Sequence, residues 1–262
     1  MKKILLAFVA LAALGMQSAN AAPKILYVGD SIAVETSDVV AWWSHNYIQA
    51  DTSRIMFGGL AICDFTESTG ESTLRAHVKS DKPDIVVMQF VGNRFTTCMQ
   101  NLADDNAYYA KYYADAENAT KQITEAAKEA GIPRPKIMWV LQGPTQNSMH
   151  AKRMITQYRE IAAKHGDLVS DAGAEVSAAA FPDADYESKR YEFTFFVPCS
   201  EFEKAAGFCT DTSLNLARVH REDDGTHYCL GKVEGFSCTI PSPGILRYGM
   251  RIAQDIQSAL SL

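Results

Sequence analysis

The chain has 262 residues, 47% of them hydrophobic and 21% charged, with a formal charge of −6. This composition suits a soluble globular protein with room for one domain of about 200 to 250 residues, or for a domain with a sizeable insertion. An acidic chain without a basic cluster is a poor candidate for binding nucleic acid, and solubility alone accounts for its charge.

The first segment reads as a processing signal. Lys2 and Lys3 precede the apolar run from Ile4 to Leu14, and Ala19-Asn20-Ala21 offers small residues to a signal peptidase. The run is shorter than the roughly 20 apolar residues that span a bilayer, and no cysteine follows it to carry a lipid anchor. We expect residues 1–21 to be a cleavable leader and residues 22–262 a single secreted or periplasmic domain without stable membrane insertion. Loss of the two leader lysines takes the formal charge from −6 to −8.

Beyond the leader, short apolar runs alternate with helical patterns. Strands are predicted at Lys24–Val28, Arg54–Phe57, Asp84–Phe90 and Lys136–Leu141, with a weaker one at Asp167–Ser170. Each is a near-continuous aliphatic run, the pattern of a strand buried on both faces. Helices are predicted at 34–49, Ser72–Ser80, Asp104–Ala130 and Gln146–Lys164. The third of these stops at Gly131-Ile132-Pro133. A last helix begins with Ser242 as cap and Pro243 in its first turn, and shows Ile245, Gly249, Ile252, Ile256 and Leu260 on one face. This alternation argues for a parallel sheet with helices on both sides, which places ligands at the carboxyl ends of its strands. The loops that open there begin at Gly29, Gly58, Val91 and Gln142. Residues 180–222 fit the alternation poorly and are expected to form an insertion or lid beside the site.

Six cysteines in the mature chain suit an oxidising compartment. They allow fifteen pairings. Proximity makes Cys199–Cys209 and Cys229–Cys238 the simplest local pairs, leaving Cys63 with Cys98. Zinc is the rival use of these cysteines, but no CxxC pair occurs, and we expect no metal.

Ser31, in "KILYVGDSIAV", ends the first strand and precedes a helix, so its hydroxyl lies at the carboxyl edge of the sheet. A helix cap requires the same residue there. A hydroxyl becomes a nucleophile only when a base removes its proton. Of the six histidines, His45, His77, His150 and His165 sit in helical patterns and read as surface or flank residues, and His220 lies in the insertion. His227 follows "DDGTH", where a tight turn allows the Asp224 carboxylate to reach its Nδ1–H and leave Nε2 free as a base. Taken singly, this spacing also fits an Asx turn with an exposed histidine. Donors for an oxyanion are available at Ser31 N–H, at Gly58-Gly59 and at Asn93, in three loops that open on one edge. Each of these residues would also serve a turn or a cap.

Together "VGDSIAV", "FGGLAICDF", "QFVGNRF" and "DDGTH" resemble, in order and spacing, the four blocks of the SGNH (GDSL-type) hydrolases. The resemblance runs from Lys24 to the final helix. It implies a flavodoxin-like three-layer α/β/α sandwich with a parallel sheet of about five strands. By the same resemblance Ser31 is the nucleophile, His227 the base and then the acid, and Asp224 the carboxylate that orients it. Ser31 N–H, Gly59 (or Gly58) and the Asn93 amide would form the oxyanion hole. Two positions depart from the family pattern: Ile32 replaces a usual leucine, and Val91 stands where glycine is usual two places before the asparagine. The cysteines resemble a secreted bacterial branch, in which Cys63 and Cys98 would tie two site loops together.

The resemblance implies a cofactor-independent serine esterase that removes small O-acyl groups, above all acetyl, from an envelope or extracellular glycan. An O-acyltransferase would use the same three residues with a sugar hydroxyl as acceptor, and a silent envelope-binding or assembly protein would keep only the scaffold. Trp42, Trp43 and the tyrosines at 108, 109, 112 and 113 could stack on sugars, although core packing is the simpler role for most of them. Oligomeric state is not readable from the sequence.

Overall fold

In a computed structural model, residues 21–143 and 145–261 are described. The expected leader therefore lies outside the described residues, apart from its last residue. Among the described residues no helix is long and apolar enough to cross a membrane.

The chain forms β1 (Lys24–Gly29), α1 (Ser31–Trp43), β2 (Asp51–Met56), α2 (Ile62–Thr66), α3 (Leu74–Asp81), β3 (Ile85–Gln89), α4 (Asp105–Glu129), β4 (Lys136–Val140), α5 (Ser148–His165) and β5 (Leu168–Ser170). Then come α6 (Tyr186–Lys189), β6 (Phe196–Pro198), α7 (Glu201–Ala205), β7 (Leu216–Arg218), the short β8 (Val233–Glu234) and β9 (Ser237–Cys238), and α8 (Pro243–Leu260). The first five strands pair in parallel in the order β2-β1-β3-β4-β5, the flavodoxin-like arrangement.

Period-two alternation divides the strand side chains between two cores. Leu26, Val28, Val86, Met88, Ile137 and Trp139 face α2 to α5. Ile25, Tyr27, Val87, Met138 and Val140 face α1 and α8. Both faces are covered, which is why these strands read as continuous apolar runs. β2 lies at the sheet edge and starts at Asp51, three residues before its predicted start, because Lys24 pairs with Asp51 in register. Polar residues are tolerated on an edge strand and conceal it from an apolar pattern.

Helix α1 also starts earlier than predicted, at Ser31, because Asp30 and not Ser31 is its cap: the Asp30 carboxylate accepts the Ile32 N–H. The helix gives way at Ser44 to a π-helical turn that ends at Gln49 in left-handed geometry. Ser242 caps α8 and Pro243 stands in its first turn, with Ile245, Gly249, Ile252 and Ile256 buried.

Residues 180–222 carry α6, α7 and the antiparallel pair β6-β7 around a small core of Val197, Cys199, Ala217 and Val219. The segment docks on α8, where Arg247 donates to Glu203 and to the Pro198 carbonyl. It lines no part of the cleft described below, so the expectation of a lid is corrected. Tyr108, Tyr109 and Tyr112 are buried, whereas Trp42 is 57% exposed. Trp42 lines a separate groove with Trp43, Tyr47 and Phe202, away from that cleft.

Candidate active site

At the carboxyl end of the sheet a cleft of about 540 Å³ holds Ser31, Asn93, Asp224 and His227 in its wall. β1 delivers Ser31 to the first turn of α1, where backbone N–H groups have no intrahelical partner and the Ile32 N–H is taken by Asp30. Gly29 is needed for this turn, since a Cβ there would overlap Ala33 and the Gln89 carbonyl. The "DDGTH" loop brings His227 from across the chain. Its Nε2 lies 2.8 Å from Ser31 Oγ, and its Nδ1 lies 2.7 Å from Asp224 Oδ2. The other carboxylate oxygen, Oδ1, accepts the N–H groups of Thr226 and His227 at 3.1 and 3.2 Å. Burial alone would raise the Asp224 carboxyl. The Thr226 N–H, the charge of His227 and its two hydrogen bonds outweigh that effect and hold Asp224 below the ordinary carboxylate range.

Three further groups clamp the His227 loop, and the sequence reading missed two of them. Glu35, one helical turn after Ser31, is buried and accepts the N–H groups of Tyr228 and Cys229 at 2.8 and 3.2 Å. Burial raises its carboxyl, against the pull of His227 and of those two N–H groups. His220, read as one more residue of the insertion, is fully buried with its ring stacked on Phe193 and tilted against Tyr228. Its Nδ1–H donates to the His227 carbonyl at 3.0 Å. The Cys229–Cys238 disulfide closes the loop behind it. An acid at the fourth place after Ser31, within an otherwise buried helical stretch, was the one available signal for Glu35.

Burial lowers the His220 imidazole from 6.5 to about 4, opposed by the His227 carbonyl and the charge of Asp224. The unfolded chain then binds a proton that the folded chain does not. Stability from this group is complete above pH 6.5 and drains away as the pH falls toward 4. We expect about 2 kcal/mol to be lost by pH 5 and about 3 by pH 4. Urea denaturation of wild type and His220→Gln at pH 7.5 and pH 5 checks this. The variant should lose less on acidification, and equal losses would assign the acid sensitivity to other groups.

The first three blocks are braced against one another. Asp30 is fully buried, and its Oδ2 accepts Val91 N–H at 2.5 Å and Asn93 Nδ2 at 3.3 Å. Asn93 Nδ2 also donates to the Leu60 carbonyl at 2.9 Å, so one amide joins all three blocks. Burial raises the Asp30 carboxyl to about 7, with the N–H groups of Val91 and Ile32 pulling it back. His150, read as a surface or flank residue, lines the cleft instead. Its Nε2–H donates to the Val91 carbonyl at 2.8 Å, and its Nδ1 accepts from the Tyr109 hydroxyl at 2.9 Å. This explains the departure in the third block. Gly92 takes the left-handed conformation (φ 88°), and a Cβ there would sit 2.7 Å from His150 Nε2.

Of the second-block glycines, Gly58 is the one beside Ser31: a Cβ on it would lie 3.8 Å from Ser31 Cβ, whereas one on Gly59 would meet nothing within 4 Å. Neither lines the cleft. Cys63 in α2 is bonded to Cys98, and Cys199 to Cys209, so all six cysteines are paired. The Cys63–Cys98 bridge closes 35 residues and ties the second block's loop to the third's. Loop-closure entropy assigns it about 3 to 4 kcal/mol. Replacing both cysteines by serine should lower the unfolding free energy by about that amount, read by denaturant titration. An unchanged midpoint would show the bridge to be idle.

No family model and no curated protein matches the chain. Among solved structures it is similar to a protein described as an SGNH hydrolase from Slackia heliotrinireducens, at 18% identity over 90% of this chain and 99% of that one, with a TM-score of 0.49. It is similar to a protein described as an acylhydrolase from Bacteroides fragilis, at 11% identity over 91% of each chain and a TM-score of 0.49. A catalytic mutant of an acetylxylan esterase from Geobacillus stearothermophilus is similar at 13% identity, over 92% of this chain and 94% of that one, with a TM-score of 0.41. At such identities the likeness is one of general shape, and the chemistry has to be read from the side chains of this chain.

Proposed function

We propose that the chain is a serine esterase of the SGNH type, a single domain behind a cleavable leader, that removes small O-acyl groups from a glycan outside the cytoplasm. One observation carries this reading: the unbroken line from Ser31 Oγ through His227 to Asp224, at 2.8 and 2.7 Å. Such a line makes an alcohol nucleophilic and supplies the proton its leaving group needs.

In the first half-reaction Ser31 Oγ bonds to the ester carbonyl carbon while His227 Nε2 takes its proton. The carbonyl π pair moves onto oxygen. Donors for that oxyanion are the Ser31 N–H, the Asn93 amide and an N–H of the second block, at Gly59 or its neighbour Gly58. Each is worth about 3 kcal/mol where such a donor has been removed. To serve, the Asn93 amide must exchange one of its present acceptors, Asp30 or Leu60, for the oxyanion. Collapse breaks the bond to the sugar oxygen, which leaves with the proton from His227. Water then repeats the sequence and releases the acid. The His227 side chain keeps 33% of its exposure, so water has access to the base. A glycan is favoured over a lipid because most residues that line the cleft carry polar side chains, with Gln142, Gln146 and Asn147 beside the triad, and because Phe95, 91% exposed on its rim, offers a face to a sugar ring.

A panel of acyl esters of increasing chain length, each with and without an oligosaccharide acceptor, tests the proposal. Release of free acid should exceed acyl transfer, with acetyl preferred. Dominant transfer would make the protein an acyltransferase, and no turnover with no phosphonate adduct at Ser31 would make it a binding protein.

A further inference from the structure

Nearly every arginine of this acidic chain is neutralised. Among the described residues only Arg153 and Arg159 lack a carboxylate oxygen within 4.0 Å. Arg159 is otherwise engaged, donating to the Tyr191 hydroxyl at 2.9 Å. Arg153 rests only on an aromatic face, its guanidinium 4.6 Å from the Tyr109 ring centre. An unpaired cation on an exposed helix is ordinary, but this one has an unusual position. With Lys152, Met149 and Tyr109 it lines a shallow groove. That groove and the Ser31 cleft are separate but linked: Tyr109 lines the groove, and its hydroxyl donates at 2.9 Å to Nδ1 of His150, which lines the cleft.

On the cleft side of the same ring pair stands Arg94, 4.0 Å from the Tyr108 ring centre and 5.9 Å from that of Tyr109. Two guanidinium groups thus share adjacent aromatic rings. One carboxylate, Asp105, stands between them and is bound by Arg94 at 2.7 Å. Arg153 and Lys152, in the groove, have no carboxylate of their own among the described residues, and the charge of Arg153 reaches Asp105, which Arg94 already binds. A planar fork held against a ring is pre-oriented for an oxyanion and is less strongly hydrated than an ammonium group.

We propose that this groove is a subsite for a negatively charged group of the substrate, so that the acylated glycan is an acidic one. The anion, a carboxylate or a phosphate, binds Arg153 and Lys152, and Arg94 guides the chain past His150 toward Ser31. The proposal rests on the esterase reading and extends it to a substrate class.

The test compares acetylated trigalacturonate with acetylated xylotriose, which is neutral, on wild type, Arg153→Gln and Arg153→Lys. Arg153→Gln should raise KM for the uronate at least tenfold more than for the neutral ester, with kcat little changed, and Arg153→Lys should recover part of the loss. Raising NaCl from 0.05 to 0.3 M should weaken the wild type for the uronate alone. An acetylated glucose 6-phosphate arm identifies the anion, as whichever class depends more on Arg153. Equal KM for acidic and neutral esters, or no selective effect of Arg153→Gln, would overturn the subsite. Hydrolysis of p-nitrophenyl acetate, lost in Ser31→Ala, tests the esterase reading separately. Should no ester be cleaved, calorimetric titration of trigalacturonate decides: binding at least tenfold weaker in Arg153→Gln supports the subsite, and no difference overturns it.

Discussion

Ser31→Ala is expected to lower kcat/KM for any ester the protein cleaves by about 10⁴- to 10⁶-fold, the scale seen when a nucleophile of this kind is removed. The expectation follows from the division of labour at the start of α1. The Ser31 side chain contributes only Oγ to the site, and that atom's partner is His227, while the Ser31 N–H is untouched by the substitution. The cap of the helix is Asp30, so an alanine at 31 leaves the cap and the turn intact. The melting temperature should therefore change little. Ester hydrolysis and melting, measured side by side, give the result. A variant that is folded and still active would move the chemistry to another residue. One that is inactive but unfolded would show Ser31 to be structural.

Asp224→Asn should cost about 10⁴-fold in kcat, although it removes only one charge. Oδ1 of Asp224 already accepts two backbone N–H groups, and Oδ2 faces Nδ1. An asparagine has one oxygen, and the two N–H groups claim it. Its NH₂ then points at Nδ1, which must accept instead of donate. The imidazole proton is driven to Nε2, where it blocks removal of the Ser31 proton. KM should hold, because the cleft keeps its shape. A loss of less than tenfold would mean that orientation of the imidazole comes from the backbone clamps on its loop, Glu35 and His220, and not from Asp224.

The features legible in the sequence are those set by local pattern. The central strands β1, β3 and β4 announced themselves because burial on both faces leaves no room for polar residues, whereas the edge strands β2 and β5 gave a shorter or weaker signal. Ser242-Pro243 marked the start of α8, since cap and first-turn chemistry is local. Ser31, Asp224, His227 and Asn93 stood in the loops that a parallel sheet opens on one edge, and the structure brings all four to one cleft. What stayed hidden depends on remote partners. Glu35 meets Tyr228 N–H across 193 positions, and a single acid in a helix otherwise reads as a solvated one. His150 and His220 looked like surface or insertion residues because a histidine's burial is decided by what packs against it. The apolar residues of the 180–222 segment follow no regular period, and its disulfide and its Arg247 contacts with α8 stand in for a pattern.

The buried carboxylate on α1 has one more consequence. Ser31 and Glu35 are a helical turn apart on a single rigid rod, and Glu35 grips the backbone that carries the imidazole. When the layers of the sandwich breathe, alcohol and base ride on the same strut, so their separation drifts far less than the distance between their chain segments would suggest. Heating should then erode the outer walls of the cleft before it parts the reacting pair, and affinity should fade at lower temperature than turnover.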